Sequence, residues 1–443
     1  MELHIGLDDT DSPRSGCTTY LGYLIALKLK LRGVRFLDLP YLVRLNPNVP
    51  VKTRGNGAVS LHVDVEARDV DKVVEECEST VMSLSEKHGK TSPGLLVATR
   101  DALAELRPFY ERALHEFIPR TFAERVLDKL VSEGKILSAA HKGRGIVGAA
   151  AAIGAFKMAS FTYELLVYRT KSSVNKRELL PTLLELDKKY RPLLFSTYDY
   201  AERRLLAAPG GETPVVLGLR GLDPNLLLEA ASLLEKKHGL REWIIYKTNQ
   251  ATQAHLRFKS IADIHPYDSV LVKGRVASRP RVLQGGHVKL TVCDSTGCID
   301  TMFFWETGRL RKAAKLLREG DLIEVGGGVI PQRGLAVNAE VLRVIEVQPL
   351  EVICNPLCPR CGARMKSAGR GKGFKCSKCG YRSSSDRKNT AVKPRLLEPG
   401  VYLPSPRSYR HLTRPPDVLG IEALEAPLNA PWVSEPQERL DAR

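Results

Sequence analysis

The sequence has no long apolar run. Its longest, Ile146 to Phe156, is interrupted by glycines and is too short to cross a bilayer. The opening residues, MELHIGLDDTD, carry acids where a secretory leader carries bases followed by apolar residues. The cysteine count, nine, is odd. Together these features predict a reducing, cytoplasmic setting, where paired cysteines bind metal more often than they form disulfides. No internal repeat is present. Acidic residues are nearly missing from one stretch: between 355 and 395 twelve Lys and Arg face a single acid, Asp386.

That local absence explains most of the charge. The chain has 443 residues, with 67 Lys and Arg against 50 Asp and Glu, for a formal charge of +17. The 41 residues from 355 to 395 carry +11 of it, which leaves +6 for the other 402. A surplus of this size calls for an acidic partner, and with no membrane segment that partner is nucleic acid. A hydrophobic share of 43% and a charged share of 26% exclude disorder throughout, and the length suits about three domains.

Hydropathy patterning divides the chain into blocks. In the first, residues 1–120, Glu2 to Asp8 alternates as a strand, and Thr18 to Leu31 reads as a helix ending in Lys28, Lys30 and Arg32. Arg35 to Leu45 and Ala58 to Val65 are further strands. Val70, Val73, Val74, Cys77, Val81 and Leu84 share one helical face. The second block, 121–258, opens on a capping-box spacing, Thr121 with Glu124. It alternates strands (161–169, 215–219, 242–246) with helices (178–189 and one starting at Asp223-Pro224), a ferredoxin-like proportion. In the third, 263–348, five strands with a helical stretch at 310–317 between the third and fourth give the OB-fold pattern. Residues 352–383 form a small cysteine module. Residues 384–443 hold nine of the 27 prolines after Asn389 and read as an extended tail with some docking points. The fold class is therefore multidomain α+β.

Three motifs carry chemistry. Cys358-Pro-Arg-Cys361 and Cys376-Ser-Lys-Cys379 are two CxxC knuckles, each followed by a glycine that lets the backbone turn under a metal. Four thiolates leave no open position, so the zinc would be structural. Arg364, Lys366, Arg370, Lys372, Lys375 and Lys378 surround these knuckles as a basic surface for a phosphate backbone. Phe303 and Trp305, at the end of the third barrel strand, are candidate base-stacking residues.

The second motif is Asp8-Asp9-Thr10-Asp11-Ser12 followed by Ser15-Gly16-Cys17-Thr18-Thr19. Carboxylates at a strand end can hold Mg²⁺ together with substrate phosphates. Small residues opening a helix can offer backbone N–H groups to an anion. Ser15, Gly16, Cys17 and Thr19 are thus candidate phosphate ligands. No Gly-Lys-Ser/Thr follows the strand, so this is not a Walker loop. An acidic turn with a helix cap is the alternative reading of the same residues. The third motif comprises two glycine-basic clusters, Lys52, Arg54, Gly55 and Asn56, and then Gly143, Arg144 and Gly145. The first is a candidate for nucleotide phosphate and the second for substrate.

HIGLDDTDSPRSGCTTYLG, TRGNGA at 53–58, GRGIVGAAAAIG at 143–154, the OB-like block and the cysteine module together resemble the archaeal tRNA-isoleucine agmatidine synthetase family. The resemblance runs along nearly the whole chain. It implies a kinase-like N-terminal domain, with Thr18 on the family's phosphorylatable threonine and Asp8, Asp9 and Asp11 on its acidic metal motif. It further implies an ATP-dependent ligase that attaches agmatine to carbon-2 of the wobble cytidine in the CAU anticodon of tRNA-Ile, so that AUA codons are read. ATP, Mg²⁺ and zinc would be its cofactors. Two readings from other classes compete: a non-catalytic RNA-binding protein of OB and zinc-ribbon modules, and a phosphotransferase acting on a small molecule.

Overall fold

The first strand, β1 (Glu2–Asp8), places Leu3, Ile5 and Leu7 on one face and His4 and Gly6 on the other, with all five buried. A strand covered on both sides belongs in the middle of a sheet. The computed structural model puts it there. The model describes residues 1–11, 16–52, 54–85, 91–140, 143–169, 174–209, 213–331, 334–385 and 387–434, with Arg54 described by its backbone alone.

The first block, together with the opening of the second up to residue 154, supplies α1 (Thr18–Leu31), β2 (Tyr41–Arg44), β3 (Gly57–Asp64), α2 (Val70–Leu84), β4 (Gly94–Thr99), α3 (Leu103–His115), α4 (Arg120–Ser132), β5 (Ile136–Ser138) and α5 (Ile146–Gly154). The second supplies β6 (Thr162–Tyr168), α6 (Lys176–Tyr190), β7 (Leu194–Phe195), β8 (Val215–Gly221), α7 (Pro224–His238) and β9 (Trp243–Thr248). These strands form one sheet in the order β5-β4-β1-β3-β2-β9-β6-β8-β7. Most neighbours are antiparallel, as in Leu3 opposite Val63 and Ile5 opposite Val97. The two halves of the sheet join at a short parallel pairing of β9 with β2, Lys247 opposite Tyr41. Helices α1, α2, α6 and α7 cover one face, and α3, α4 and α5 the other.

Helix α5 explains the apolar run. It is built of Ala, Gly, Ile and Val and is buried along its length, so it is a core helix. Its small residues let it ride directly on strand backbone. A Cβ on Gly6 would stand 2.2 Å from the Ala149 carbonyl oxygen, and one on Gly94 would stand 2.1 Å from Ile146 N. Helix α7 starts as its sequence requires, with Asp223 accepting from the Asn225 N–H, Pro224 in the first turn and Gly239 closing at φ 66°. The capping box expected at Thr121 does not form. Helix α4 starts two residues earlier than that cap would place it, at Arg120 behind Pro119, and Glu124 pairs with Arg120 at 2.8 Å instead.

The third block is a closed barrel of β10 (Ser269–Val276), β11 (Val288–Cys293), β12 (Cys298–Phe303), β13 (Leu322–Pro331) and β14 (Leu335–Glu346), with α8 (Arg309–Ala314) between the third and fourth strands. Pairing of Arg275 with Cys293 closes it. Phe303 points into this core with no exposed surface, so its assignment as a base-stacking residue is corrected: stacking would require opening the barrel. Trp305, two residues on, is 53% exposed. Cys293 and Cys298 lie opposite each other across the β11–β12 turn and form a disulfide. The expectation that paired cysteines serve metal rather than a disulfide therefore fails at this pair, because the hairpin register brings the thiols together.

The barrel docks on the first block through a polar joint. The Asn48 amide donates to Ser269 Oγ at 2.8 Å, Asn46 donates to the Tyr267 carbonyl, and Gly328 leaves the space that Asn48 fills.

The tail is an extended strap held at several docking points. Prolines deny it regular hydrogen bonding but not packing. Leu397 joins the barrel core, Gly400–Tyr402 pairs with β14, and Trp432 and Val433 join the main core, with Val433 bridged to Ile244. Among the described residues no helix is long and apolar enough to cross a membrane.

Candidate catalytic cleft

The acidic motif sits where β1 ends over the start of α5. Asp8 lies against Gly148, where a Cβ would stand 1.9 Å from Asp8 Oδ2. Asp9 takes a left-handed φ of 55° and donates its N–H to Asp8 Oδ1 at 2.7 Å. Its Oδ2 accepts from Arg144 Nη2 at 2.7 Å, while its Oδ1 is buried without a partner among the described residues. Burial, with Asp9 as the next cause, pushes the Asp8 carboxyl well above the usual range. Burial also lifts Asp9 to about 6, against the pull of Arg144. Two crowded carboxylates and one guanidinium leave net negative charge in a dry place, which favours a bound cation or a retained proton.

Gly143, Arg144 and Gly145 reach this place through backbone. The N–H groups of Gly143 and Gly145 donate to the Pro93 and Ser92 carbonyls at 3.1 and 2.9 Å, and the Arg144 N–H donates to Ser92 Oγ at 2.7 Å. A Cβ at Gly143 would stand 2.4 Å from the Ser92 carbonyl oxygen, and at Gly145 2.4 Å from that of Asp8. The cluster read as a substrate loop is thus a clasp that aims Arg144 at Asp9. Ser92 had no signal in the sequence.

Helix α1 opens beside this site. Thr18 is buried, and its Oγ1 accepts from the Thr10 hydroxyl at 3.0 Å. Cys17 is the extended residue before the helix. Burial pushes its thiol up, and its Sγ lies 3.0 Å from Thr19 Oγ1, so only its backbone can serve a phosphate at neutral pH. Gly16 has φ 79°. Ser15 lies outside the described residues. Asp11 follows the same turn, and its carbonyl accepts from Thr91 Oγ1 at 3.0 Å.

An open cleft joins the acidic motif to the two glycine-basic clusters, bounded by Asp8, Asp9, Arg144, Lys52, Asn56, Glu116 and Phe117; Thr18 is not among its lining residues. Lys52 and Asn56 thereby meet the acidic motif. Asn56 donates to the Asn46 carbonyl at 2.7 Å. Gly55, at φ 63°, and Gly57 serve a residue the sequence did not point to, Arg44: a Cβ on either would stand 2.7 Å from Arg44 Nη1.

A cation held by all three aspartates is not what the side chains present. Among the described residues only Cys358, Cys361, Cys376 and Cys379 bring three or more metal-ligating atoms within 4.8 Å of one another. Zn–S bonds of about 2.3 Å in a tetrahedron put sulfurs about 3.8 Å apart. Here Cys358 and Cys379 are 3.4 Å apart and Cys361 and Cys376 3.5 Å. Gly362 and Gly380, at φ 69° and 75°, return their N–H groups to the Cys358 and Cys376 carbonyls. The donor set fits a structural zinc, and Cys354 stands outside it. Arg364, Lys366, Arg370, Lys372, Lys375 and Lys378 are all exposed. On the barrel, Arg311 stacks over the Trp305 ring at 4.2 Å.

Family models match three segments: the TiaS TCKD domain over residues 4–134, the TiaS FLD domain over 143–255, and the TiaS C-terminal zinc ribbon domain over 355–397. The 2-agmatinylcytidine synthetase TiaS of Thermofilum pendens, named for an isoleucine tRNA, is 50% identical over 429 residues, 96% of each chain. A crystal structure of TiaS in complex with that isoleucine tRNA and ATP matches with a TM-score of 0.79 at 32% identity, over 96% of this chain and 99% of that one. A complex of TiaS with the tRNA, AMPCPP and agmatine matches with a TM-score of 0.78 at 30% identity and the same coverage.

Proposed function

The chain belongs to the TiaS family, and from that premise we infer that it is an ATP-dependent ligase joining agmatine to carbon-2 of the wobble cytidine of tRNA-Ile with a CAU anticodon. The observation that carries the reading at the level of residues is the Asp8–Asp9–Arg144 cluster on one cleft, with the adjoining turn tied to Thr18 through Thr10.

The chemistry requires activation. The carbon-2 oxygen of cytidine is a poor leaving group until phosphate is transferred to it. The agmatine amine then bonds to carbon-2, the C–O bond breaks, and the oxygen departs as phosphate. Positioning and charge neutralisation supply most of the rate in such transfers. Asp8 and Asp9 are the residues that would hold Mg²⁺, a metal that takes one or two carboxylates plus phosphates. The unpartnered Asp9 Oδ1 and the raised carboxyls fit it. Bound Mg²⁺ supplies neutralisation of the triphosphate. Asp11 supports the turn, Thr18 is assigned as the phosphate-accepting residue by its place in the family motif, and Gly16, Cys17, Thr19, Lys52, Arg54, Gly55 and Asn56 are assigned to the nucleotide side. The acidic wall of Asp8, Asp9 and Glu116 suits a cationic amine such as agmatine.

On this reading residues 1–120 are a kinase-like catalytic domain, 121–258 a ferredoxin-like domain, the barrel an OB fold, and the zinc ribbon a tRNA holder. Trp305 takes the stacking role alone. A non-catalytic RNA-binding protein would have no use for crowded buried carboxylates at an open cleft, and a small-molecule phosphotransferase would have none for the ribbon's cations.

The test uses purified protein, a tRNA-Ile transcript, ATP and labelled agmatine. Agmatine should enter the wobble cytidine only with ATP, and Asp9→Ala should abolish incorporation while tRNA binding persists. Absence of incorporation by the unaltered protein overturns the function. Full incorporation by Asp9→Ala overturns the role of the carboxylate.

A further inference from the structure

Four segments distant in sequence gather around Glu164 of β6, three by direct contact and the fourth through Arg220. Arg44 from the end of β2 approaches Glu164 Oε2 at 3.9 Å, and Arg220 of β8 donates to Oε1 at 3.3 Å. The Gln250 amide, after β9, donates to Oε2. Arg220 Nη2 also donates to His411 Nδ1 at 2.9 Å, from the C-terminal strap. A neutral imidazole nitrogen that accepts from Arg220 cannot also donate to the Gln250 oxygen 3.0 Å away, so the ring proton sits on Nε2. Arg44, then burial, then Arg220 hold that imidazole neutral.

The charges do not balance. Two guanidiniums pair with one carboxylate, Asp11 acts on Arg44 only as a minor, longer-range charge, and a neutral histidine adds nothing. The Arg44 and Arg220 side chains are only 13% and 22% exposed, and Glu164 5%. Arg44 Nε is buried with no hydrogen-bond partner among the described residues. An enclosed, uncompensated cation is costly unless an anion joins it. The site is nonetheless built for Arg44, because Gly55 and Gly57 clear the volume its guanidinium occupies. Arg44 also lies within electrostatic reach of Asp11 and Cys17, on the turn that leads to Thr18. A guanidinium fork binds phosphate oxygens in pairs.

We propose that Arg44 and Arg220 form an anion subsite for a phosphate group of the nucleoside triphosphate, and that His411 of the strap is the positioning residue that holds Arg220 on it. This rests on the reading of the cleft as an ATP site. Enclosure argues against an RNA backbone phosphate, which the exposed ribbon cations suit better. Arginine removal is tolerable singly, since Arg44→Gln leaves Glu164 and Arg220 as a neutral pair.

The experiment compares the full-length protein with Arg44→Gln, Arg220→Gln, His411→Ala and His411→Asn. Each is titrated with ATP and with inorganic tripolyphosphate, and separately with tRNA-Ile, after a melting curve establishes that it is folded. The expected result for either arginine variant is at least a tenfold loss of affinity for both ATP and tripolyphosphate with unchanged tRNA affinity. His411→Ala should raise KM for ATP and leave kcat near that of the unaltered protein, and His411→Asn, which restores an acceptor, should recover KM. If Arg44→Gln does not fold, Arg44→Lys keeps the charge without the fork and should bind tripolyphosphate more weakly. Unchanged ATP and tripolyphosphate affinity in the folded variants overturns the proposal, and so does a loss confined to tRNA. Tripolyphosphate binding by the unaltered protein is read without turnover, so failure to form agmatidine would defeat the functional reading and leave this test standing.

Discussion

Arg144 donates to Asp9 across 135 residues of chain, at 2.7 Å. The contact ties the start of α5 to the end of β1, so the helix that fills the core also orients the acid at the cleft. Arg144→Gln should keep the fold, because its side chain is 31% exposed. It should lower kcat/KM by about a hundredfold, the scale of losing one organising charge in an active site. Steady-state kinetics with tRNA binding measured in parallel checks this; kinetics like those of the unaltered protein would show that Asp9 needs no such partner.

Gly148→Ala separates packing from chemistry. Alanine favours a helix by about 1 kcal/mol over glycine, yet its methyl would stand 1.9 Å from Asp8 Oδ2. The melting temperature should change by only a few degrees while agmatidine formation falls at least tenfold, about 1.4 kcal/mol in the barrier. Undiminished activity would mean that the Asp8 carboxylate need not rest on α5.

His4 and His62 face each other across β1 and β3, Nδ1 to Nδ1 at 2.8 Å, under Phe156. Burial first, and nearby cations after it, lower His4 to about 4, and burial followed by His4 lowers His62 well below its ordinary value. The folded state therefore refuses protons that the unfolded chain accepts. Stability from this pair is fully present above pH 6.5 and is lost as pH falls from 6.5 towards 4. The fall from His4 alone is about 3 kcal/mol. Melting temperature against pH should drop through that window, and His4→Leu should flatten the drop; a level curve in the unaltered protein counts against the buried neutral pair.

Zinc removal should act locally. Met365, Phe374 and two of the ligating cysteines form their own small core, separate from the sheet and barrel cores. One zinc per chain is expected. Extraction by a chelator should weaken tRNA binding and leave the main melting transition and ATP binding in place. Global unfolding on chelation would contradict the separate cores.

The ribbon's cations make a quantitative prediction. Replacing Lys366, Arg370 and Lys372 together should reduce the slope of log affinity for tRNA against log salt by about two to three. An unchanged slope would remove this loop from the RNA surface.

Much of the architecture was readable along the chain. Thr18–Leu31 forms the helix its apolar run and closing cations predict, Val70–Leu84 the one its periodicity predicts, the five barrel strands follow their alternation, and the CxxC spacing brings four sulfurs together. These features depend on neighbours a few residues apart, or on strands whose two faces meet different surroundings. The aromatic pair was only half legible. A period of two places Phe303 and Trp305 on the same face, but the strand ends at Phe303 and the following turn swings Trp305 out.

Taken by itself, the sequence determined the local elements, the zinc ligands, and the concentration of positive charge in one module, because each is a matter of spacing or composition. The tertiary structure decided which distant residues share a site. Arg144 reaches Asp9 only because small residues let α5 lie on β1, and Arg44, Glu164, Arg220 and His411 meet only because β2, β6 and β8 share a sheet that the strap crosses. The strap shows the same division: its prolines dictate irregular backbone, while the burial of Leu397, Trp432 and Val433 depends on apolar surfaces that earlier segments leave open. Buried charge is settled at that level too, because the cost of an unpaired guanidinium depends on the surrounding medium and not on its neighbours in the chain.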